Sequence, residues 1–320
     1  MPDPRRVTPE LRHDALTGRL VLLATGREAR PVTFSSQSDR DVGDPSTCPF
    51  CPGHERETPP EVARTGVGAP DSPGWRVRVV PNLYPIAGGP DAGASATGAH
   101  EVAVLSPDHD RSLGELADDQ AVEVLTVLRD RAHAHSEDGR AHVQVLVNQG
   151  RAAGASIAHP HAQVVALDFV PPAVSVATER FAAAGSDLVL DDLSDANARS
   201  QCVVSGPEVA AWCPTGSASP FEMRISALNA SSRFDEASDG QVLGVAIVLR
   251  DVLAAMGTAL GNVPYNVVVH TAPTAVPASF HWWVEVRPRV SVVAGFELGT
   301  GVLVNTVAPE VAAARLRELS

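Results

Sequence analysis

The sequence predicts an α+β protein: antiparallel sheet with helices packed on it, built from two units related by internal duplication. Three observations carry this. Short runs rich in β-branched residues recur along the chain, as in HEVAVLS (100–106), HVQVLVN (142–148), YNVVVH (265–270) and FHWWVEVRP (280–288). Two longer segments, 112–136 and 237–260, carry a helical apolar period. These two segments share a motif, QAVEVLTVLRD in the first and QVLGVAIVLRD in the second. Each VLRD is followed by a strand, a loop containing Gly, Ala or Pro, and a strand with a histidine. Asp130 to His159 spans 29 positions and Asp251 to His281 spans 30, so His159–Pro160–His161 aligns with His281–Trp282–Trp283. Chance similarity of two amphipathic helices is the alternative. The joint agreement of order, spacing and motif favours a duplicated strand–helix–strand–strand unit. The expected division is an N-terminal unit, 1–178, and a C-terminal unit, 179–320.

The remaining elements read as follows. Residues 1–18 form an arm ending in the turn LTGR, and LVLLA (20–24) a short strand. Segment 33–74 is rich in Ser, Asp, Pro and Gly and reads as loop around CPFCPG. WRVRVVPNLYP (75–85) reads as a strand running into a turn, and GGPDAGASATG (88–98) as a loop. The first helix is marked by Leu113, Leu116, Ala121, Val124, Leu125 and Leu128. Segment 178–218 gives no clear period. FEMRISA (221–227) reads as a strand, and APEVAAARLREL as a closing helix with Pro309 in its first turn, where proline is tolerated.

Composition excludes several classes. The chain has 320 residues and is 44% hydrophobic, enough for a sizeable core. A net charge of −13 argues against a nucleic-acid surface. All 25 basic residues are arginine, which removes Schiff-base lysine chemistry and leaves phosphate binding to guanidinium forks. MPDPRRVTPE has no apolar signal core, no apolar run is expected to span a membrane, and four cysteines do not make a disulfide framework. The expectation is a cytoplasmic protein with reduced thiols and no membrane or nucleic-acid partner.

Two stretches carry chemistry. Cys48 and Cys51 in CPFC form one half of a tetrahedral zinc site, with two loose thiols or a redox pair as the alternatives. His109 in SPDHD and His159 are the better candidates for the other half. Cys202 and Cys213 sit in apolar settings and read as buried structural cysteines. In NQGRAAGASIAHPHAQVVAL (148–167), strand alternation sends His159 and His161 to one face. If His159 holds a metal, His161 is left as a nucleophile or base; a hydrogen-bonded structural histidine is the alternative. Gly150 and Gly154 allow close backbone approach, and Ser156 and Gln163 offer donors, as a phosphate requires. Arg27 and Arg30 in TGREARP are either a diphosphate clamp or a solvated loop.

Taken in order, RHDALTGRLVLLATGREARP, CPFCPG, VVPNLYP, HEVAVLSPDH, the N-x-G…AGAS…HPHAQ block, SPFE and the C-terminal AGFELGTG…PE segment resemble the galactose-1-phosphate uridylyltransferase family of the histidine-triad (HIT) superfamily. The resemblance covers nearly the whole chain, and HPHAQ with an upstream CPFC is its specific part. It implies two HIT-like units and one structural zinc held by Cys48, Cys51, His109 and His159. It implies His161 as the nucleophile that forms a covalent nucleotidyl-histidine, and Gln163 as the residue bonding the transferred phosphoryl group. Asn82, Asn148, Ser156, Arg27 and Arg30 match the nucleotide and phosphate surroundings. The implied donor is a nucleotide sugar (UDP-, ADP- or GDP-linked), the acceptor a sugar 1-phosphate or inorganic phosphate, the kinetics ping-pong and the assembly a homodimer.

Departures from the family are informative. Its second metal site uses one glutamate and three histidines. Glu179, His270 and His281 match three of these, but Trp283 stands for the last histidine, so this site is expected to have lost its metal or to bind it weakly. The Gln-Arg-Asp stretch and C-terminal lysine of true uridylyltransferases are absent, and GFELGTGVLVNTVAPE resembles the ADP-glucose phosphorylase branch. Two other readings stay open: a HIT-type hydrolase of nucleotide conjugates using the same histidine, and a zinc-stapled nucleotide-binding protein without turnover.

Overall fold

Alternation along the strands produces one large sheet. The computed structural model describes residues 8–29, 43–88, 97–275 and 279–319. The arm supplies β1 (Glu10–His13) and β2 (Leu20–Leu23). The first half continues with β3 (Ala63–Gly66), β4 (Trp75–Pro81), β5 (Gly98–Val104), α1 (Asp118–Glu137), β6 (His142–Gln149) and β7 (His161–Leu167). Segment 178–218, without a readable period, resolves into the end of α2 (Pro172–Ala184), α3 (Leu188–Ala198), β8 (Cys202–Ser205) and β9 (Val209–Trp212). Then come β10 (Met223–Ala227), α4 (Asp239–Leu260), β11 (Tyr265–His270), β12 (Trp283–Pro288), α5 (Gly295–Thr300), β13 (Leu303–Asn305) and α6 (Pro309–Arg317).

The ten-stranded antiparallel sheet has the order β3-β4-β5-β7-β6-β11-β12-β10-β9-β8. Read inward from either edge, the chain order is the same: three successive strands, then the fifth, then the fourth. A duplicated unit makes this pattern, with α1 and α4 at equivalent points. The halves meet at β6 and β11, where Asn148 lies opposite Asn266 and Val147 opposite Val267. The expected junction at 178/179 lies within α2. β7 opens at His161 and β12 at Trp283, the two residues aligned by the repeat. A smaller sheet joins β1, β2 and β13.

One face of the large sheet is covered by α1 and α4. Val124, Leu125 and Leu128 of α1 and Val245, Leu249 and Val252 of α4 share one core with Val145, Val147, Ala162, Val164, Val267 and Val284. Helix α4 starts at a capping box, with Ser238 Oγ accepting from the Gln241 amide and Gln241 Oε1 accepting from the Ser238 amide. Contrary to the sequence expectation, α4 is long and apolar enough to cross a membrane. Its apolarity has another cause: it packs against both α1 and the sheet, so its buried stripe is wide.

On the opposite face the first half carries His100, Asn148, His161 and Gln163, which share one side through the register of β5, β7 and β6. In the second half that face is covered by the arm, α2 and α3. Arg224 of β10 is fully buried there and forks between Asp14 of the arm (2.6 Å) and Asp192 of α3 (2.8 Å). The indole of Trp212 also donates to Asp192 (2.7 Å). Although burial alone raises it, the Asp14 pKa is held below the usual carboxylate range by Arg224. Arg224→Ala leaves two buried carboxylates without their countercharge. We expect a loss of about 3–5 kcal/mol in urea denaturation; an unshifted midpoint would show that the arm is not anchored by this pair.

Candidate active site and metal centre

Four side chains from three distant segments converge beside the start of β7. Cys48 and Cys51 lie on a turn closed by the Cys51 amide donating to the Cys48 carbonyl (3.2 Å). His109 comes from the connection after β5, and His159 from the residues before β7. All four are buried, and their candidate ligand atoms lie within 4.8 Å of one another. Cys51 Sγ is 3.2 Å from His109 Nδ1 and 3.6 Å from His159 Nδ1; Cys48 Sγ is 3.7 Å from His159 Nδ1. His159 Nε2 donates to the Ser106 carbonyl (2.8 Å), which leaves the Nδ1 lone pair facing the thiols. Burial, then the neighbouring Cys48, push the Cys51 thiol up to about 12. A Cys51 thiolate is therefore favoured here only with a cation beside it. The group can hold a metal ion.

The thiol turn is anchored to the sheet. His54 Nδ1 donates to the Cys48 carbonyl (2.7 Å), and the Gly53 amide donates to Glu55 (2.9 Å), whose other oxygen accepts from the Trp75 indole (3.0 Å). Gly53 has φ +98°, a conformation that a side chain would strain. Between the cysteines, Phe50 sets its ring edge-on to both His159 and His161, with centroids 6.2 and 5.4 Å away.

His161 is buried, and its Nδ1 donates to the His159 carbonyl (2.9 Å). Its proton is thereby placed on Nδ1, and Nε2 keeps a lone pair. Burial lowers its pKa, which favours the neutral ring. The alternation expected for His159 and His161 does not apply as such, because β7 begins at His161 and His159 lies just outside it. Gln163 follows on the same face of β7, and its Oε1 lies 2.9 Å from His100 Nε2. Across on β6, Asn148 Oδ1 accepts from Asn266 Nδ2 (2.7 Å). The same Asn266 amide reaches the Ala153 carbonyl (2.8 Å), and its own oxygen accepts from Arg289 (2.6 Å). Asn266 and Arg289 thus hold Asn148 and the glycine loop from the second half. Sequence reasoning missed both; the available signal was a polar residue in the apolar strand YNVVVH.

The loop itself turns through Gly150 (φ +82°) and Gly154 (φ +96°). Ser156 is exposed and lines a cavity of about 240 Å³ with Gln149, Arg151 and Asn262. Asn82 lies beside His100, with its amide nitrogen 3.2 Å from both ring nitrogens. Arg27 is exposed on the turn after β2 and, among the described residues, makes no ion pair; Arg30 lies outside the described residues.

Among the described residues, Glu179, His270 and His281 do not converge into a metal-type group; the converging group is the Cys48, Cys51, His109, His159 set. Glu179 is exposed on α2. Both nitrogens of His281 are taken, Nδ1 by Asp187 (2.7 Å) and Nε2 by the Ala227 carbonyl and Ser226 Oγ (both 2.9 Å). Trp283 stacks on His270 at 4.5 Å and fills the space with aromatic carbon.

Comparison with known proteins gives the family. The family described as "Domain of unknown function (DUF4921)" matches residues 101–319. ADP-glucose phosphorylase of Arabidopsis thaliana is 33% identical over 98% of this chain and 93% of its own length. Galactose-1-phosphate uridylyltransferase of Thermotoga maritima is 25% identical over 97% of this chain and 98% of its own. The crystal structure of the Arabidopsis thaliana ADP-glucose phosphorylase with bound ADP-glucose matches with a TM-score of 0.85 at 30% identity, covering 98% of this chain and 100% of that one. The class is nucleotidyltransferase. The chain belongs to the DUF4921 family and to the galactose-1-phosphate uridylyltransferase family, on the side of ADP-glucose phosphorylase.

Cys48→Ser should lower the metal bound per chain and the thermal midpoint together. Loss of a ligand should weaken metal binding by more than the roughly 10- to 100-fold typical of outer-shell changes. Unchanged metal content by elemental analysis would remove Cys48 from the ligand set.

Proposed function

We propose that the chain transfers a nucleoside monophosphate from a nucleotide sugar to inorganic phosphate or a sugar 1-phosphate through a covalent nucleotidyl-His161. The carrying observation is the Nδ1–H bond of His161 to the His159 carbonyl, which leaves the Nε2 lone pair available on the strand face that also carries Gln163 and Asn148. ADP-glucose and inorganic phosphate are the favoured pair. Their support is the name of the 33%-identical relative and the absence of the C-terminal lysine.

Direct attack of one phosphate on another brings two anions together, and a neutral imidazole avoids that repulsion. In the first step His161 Nε2 attacks the α-phosphorus. A P–N bond forms, the P–O bond to the sugar phosphate breaks, and the sugar 1-phosphate leaves with the electron pair. The imidazolium that results shares its charge with the His159 carbonyl through Nδ1–H. In the second step an oxygen of the acceptor attacks phosphorus, the P–N bond breaks and neutral His161 is restored. With phosphate as acceptor the product is a nucleoside diphosphate. Gln163, Asn148, Ser156 and the loop amides serve as donors to the phosphoryl oxygens.

Zinc is the proposed ion. Cys48, Cys51, His109 and His159 would hold it, a set of two sulfur and two imidazole ligands that suits zinc. Four protein ligands close such a site, so its contribution is to fix the strand and the thiol turn.

Intact-protein mass spectrometry after brief mixing with ADP-glucose tests the reading. The expected result is an acid-labile gain of one nucleoside monophosphate, absent in His161→Ala, with turnover of that variant down by at least about 10³-fold. Free monophosphate without an adduct would make the chain a hydrolase. Absence of adduct and product with ADP-, UDP- and GDP-sugars would make it a binding protein.

A further inference from the structure

We propose that His100 is a positioning residue that sets the Gln163 carboxamide for phosphoryl transfer and ties that setting to the Asn82–Ile86 turn. The inference rests on the nucleotidyl-transfer reading of His161. His100 projects from β5 on the same face as Gln163, one same-face step along the paired strand β7, and is 7% exposed.

The direction of the contact follows from the backbone. The Ile86 amide lies 3.2 Å from His100 Nδ1, and a backbone N–H can only donate. Nδ1 is therefore the acceptor, and the ring proton sits on Nε2. Nε2 lies 2.9 Å from Gln163 Oε1, so Nε2–H donates to that oxygen. A carboxamide has one accepting end and one donating end. Holding the oxygen against His100 commits the NH₂ group to the other side, as a donor. Reversed, the amide would present its oxygen to a phosphoryl oxygen and repel it. Burial lowers the His100 pKa, which keeps the neutral tautomer that this chain of bonds requires.

The turn is built on the same residue. The Asn82 amide donates to the His100 carbonyl (2.8 Å), the Asn82 side chain lies against the ring, and its Oδ1 accepts from the Tyr84 amide (2.9 Å). Leu83, Tyr84 and Ile86 are 60, 82 and 74% exposed, so polar contacts with His100, more than apolar burial, hold the turn. A nucleotide that orders this turn orders the Ile86 amide, and through His100 it sets Gln163.

The test is the single-turnover rate of His161 nucleotidylation by ADP-glucose. His100→Phe, which has no donor, should lower the maximal rate about 10- to 100-fold, with little change in half-saturating donor concentration. His100→Asn keeps an acceptor near Ile86 but is too short to reach Gln163, and should lose as much. His100→Gln carries an amide nitrogen at the reach of imidazole Nε2 and should recover most of the rate. In a Gln163→Leu background, His100→Phe should cost nothing further. Metal content and thermal midpoint should match wild type in every variant used. Wild-type rates in His100→Phe and His100→Asn, or losses that multiply in the double variant, would overturn the inference while leaving the nucleophile in place. Failure of wild type to form an adduct while it still binds ADP-glucose would overturn the nucleophile reading, and this inference with it.

Discussion

The His159 residue holds the site together by making three commitments at once. Its Nδ1 faces the two thiols, its Nε2–H is fixed on the Ser106 carbonyl, and its own carbonyl accepts from His161 Nδ1. The first two place the residue in space. The third transmits that placement to the tautomer of the neighbouring imidazole. A histidine with a free ring would sample both tautomers and several rotamers; the ring of His161 is oriented by its bond to the backbone of a metal-type ligand. Phe50, carried between the two cysteines, closes the remaining freedom by packing against both rings. Loosening the thiol turn would therefore be felt at His161 without any direct bond between them.

The two halves share a strand order and have diverged in what that order supports. His281 stands where the repeat puts His159, and it too is buried with both nitrogens engaged, but by a carboxylate, a hydroxyl and a carbonyl in place of thiols. Trp283 stands where the repeat puts His161 and joins Phe181, Phe280 and His270 in a stack. Around it, charge is neutralised within the protein. Burial raises the Glu285 carboxyl, but Arg287 and Arg19 outweigh it and hold the group well below the usual range. Glu222, buried with weaker compensation from Arg287, is pushed up to about 7. The second half thus supports the first: it covers the sheet, anchors the arm through Arg224, and sends Asn266 across the seam to hold Asn148.

Much of this was legible in the sequence because it depends on local period and spacing. The core strands, α1 and α4 announce themselves by apolar pattern, and VLRD with matched histidine spacing gives the duplication. C-x₂-C with His109 and His159 converges as those residue types require. What was not legible depends on pairing between distant strands. His100 meets Gln163 only because β5 pairs with β7, and Asn266 meets Asn148 only because the halves join at β6 and β11. Segment 178–218 was opaque because α2 and α3 are short covering helices with few buried positions each, too few to set a period. Glu179, His270 and His281 matched a ligand set by order along the chain, but order does not set contacts: Glu179 is exposed on α2, and Trp283 stacks on His270.

The distribution of charge follows a consistent logic for the proposed reaction. The chain has no lysine, and it commits Arg78 and Arg224 to buried ion pairs. On the sheet face that carries His161, Gln163 and Asn148 supply amides and His100 an imidazole. A buried cation at that point would hold the ground-state phosphate about as tightly as the transition state and would raise affinity more than rate. Neutral donors with fixed directions act more selectively, because their hydrogen bonds strengthen as charge grows on the equatorial oxygens. Their cost is that they must be oriented in advance, since an amide that turns over changes from donor to acceptor. On the proposed reading, attraction of the anionic substrate would fall to exposed cations such as Arg27 and Arg151, which solvent screens and which need no fixed geometry. The density of hydrogen bonds behind Gln163 and Asn148 is what a site built on neutral donors requires.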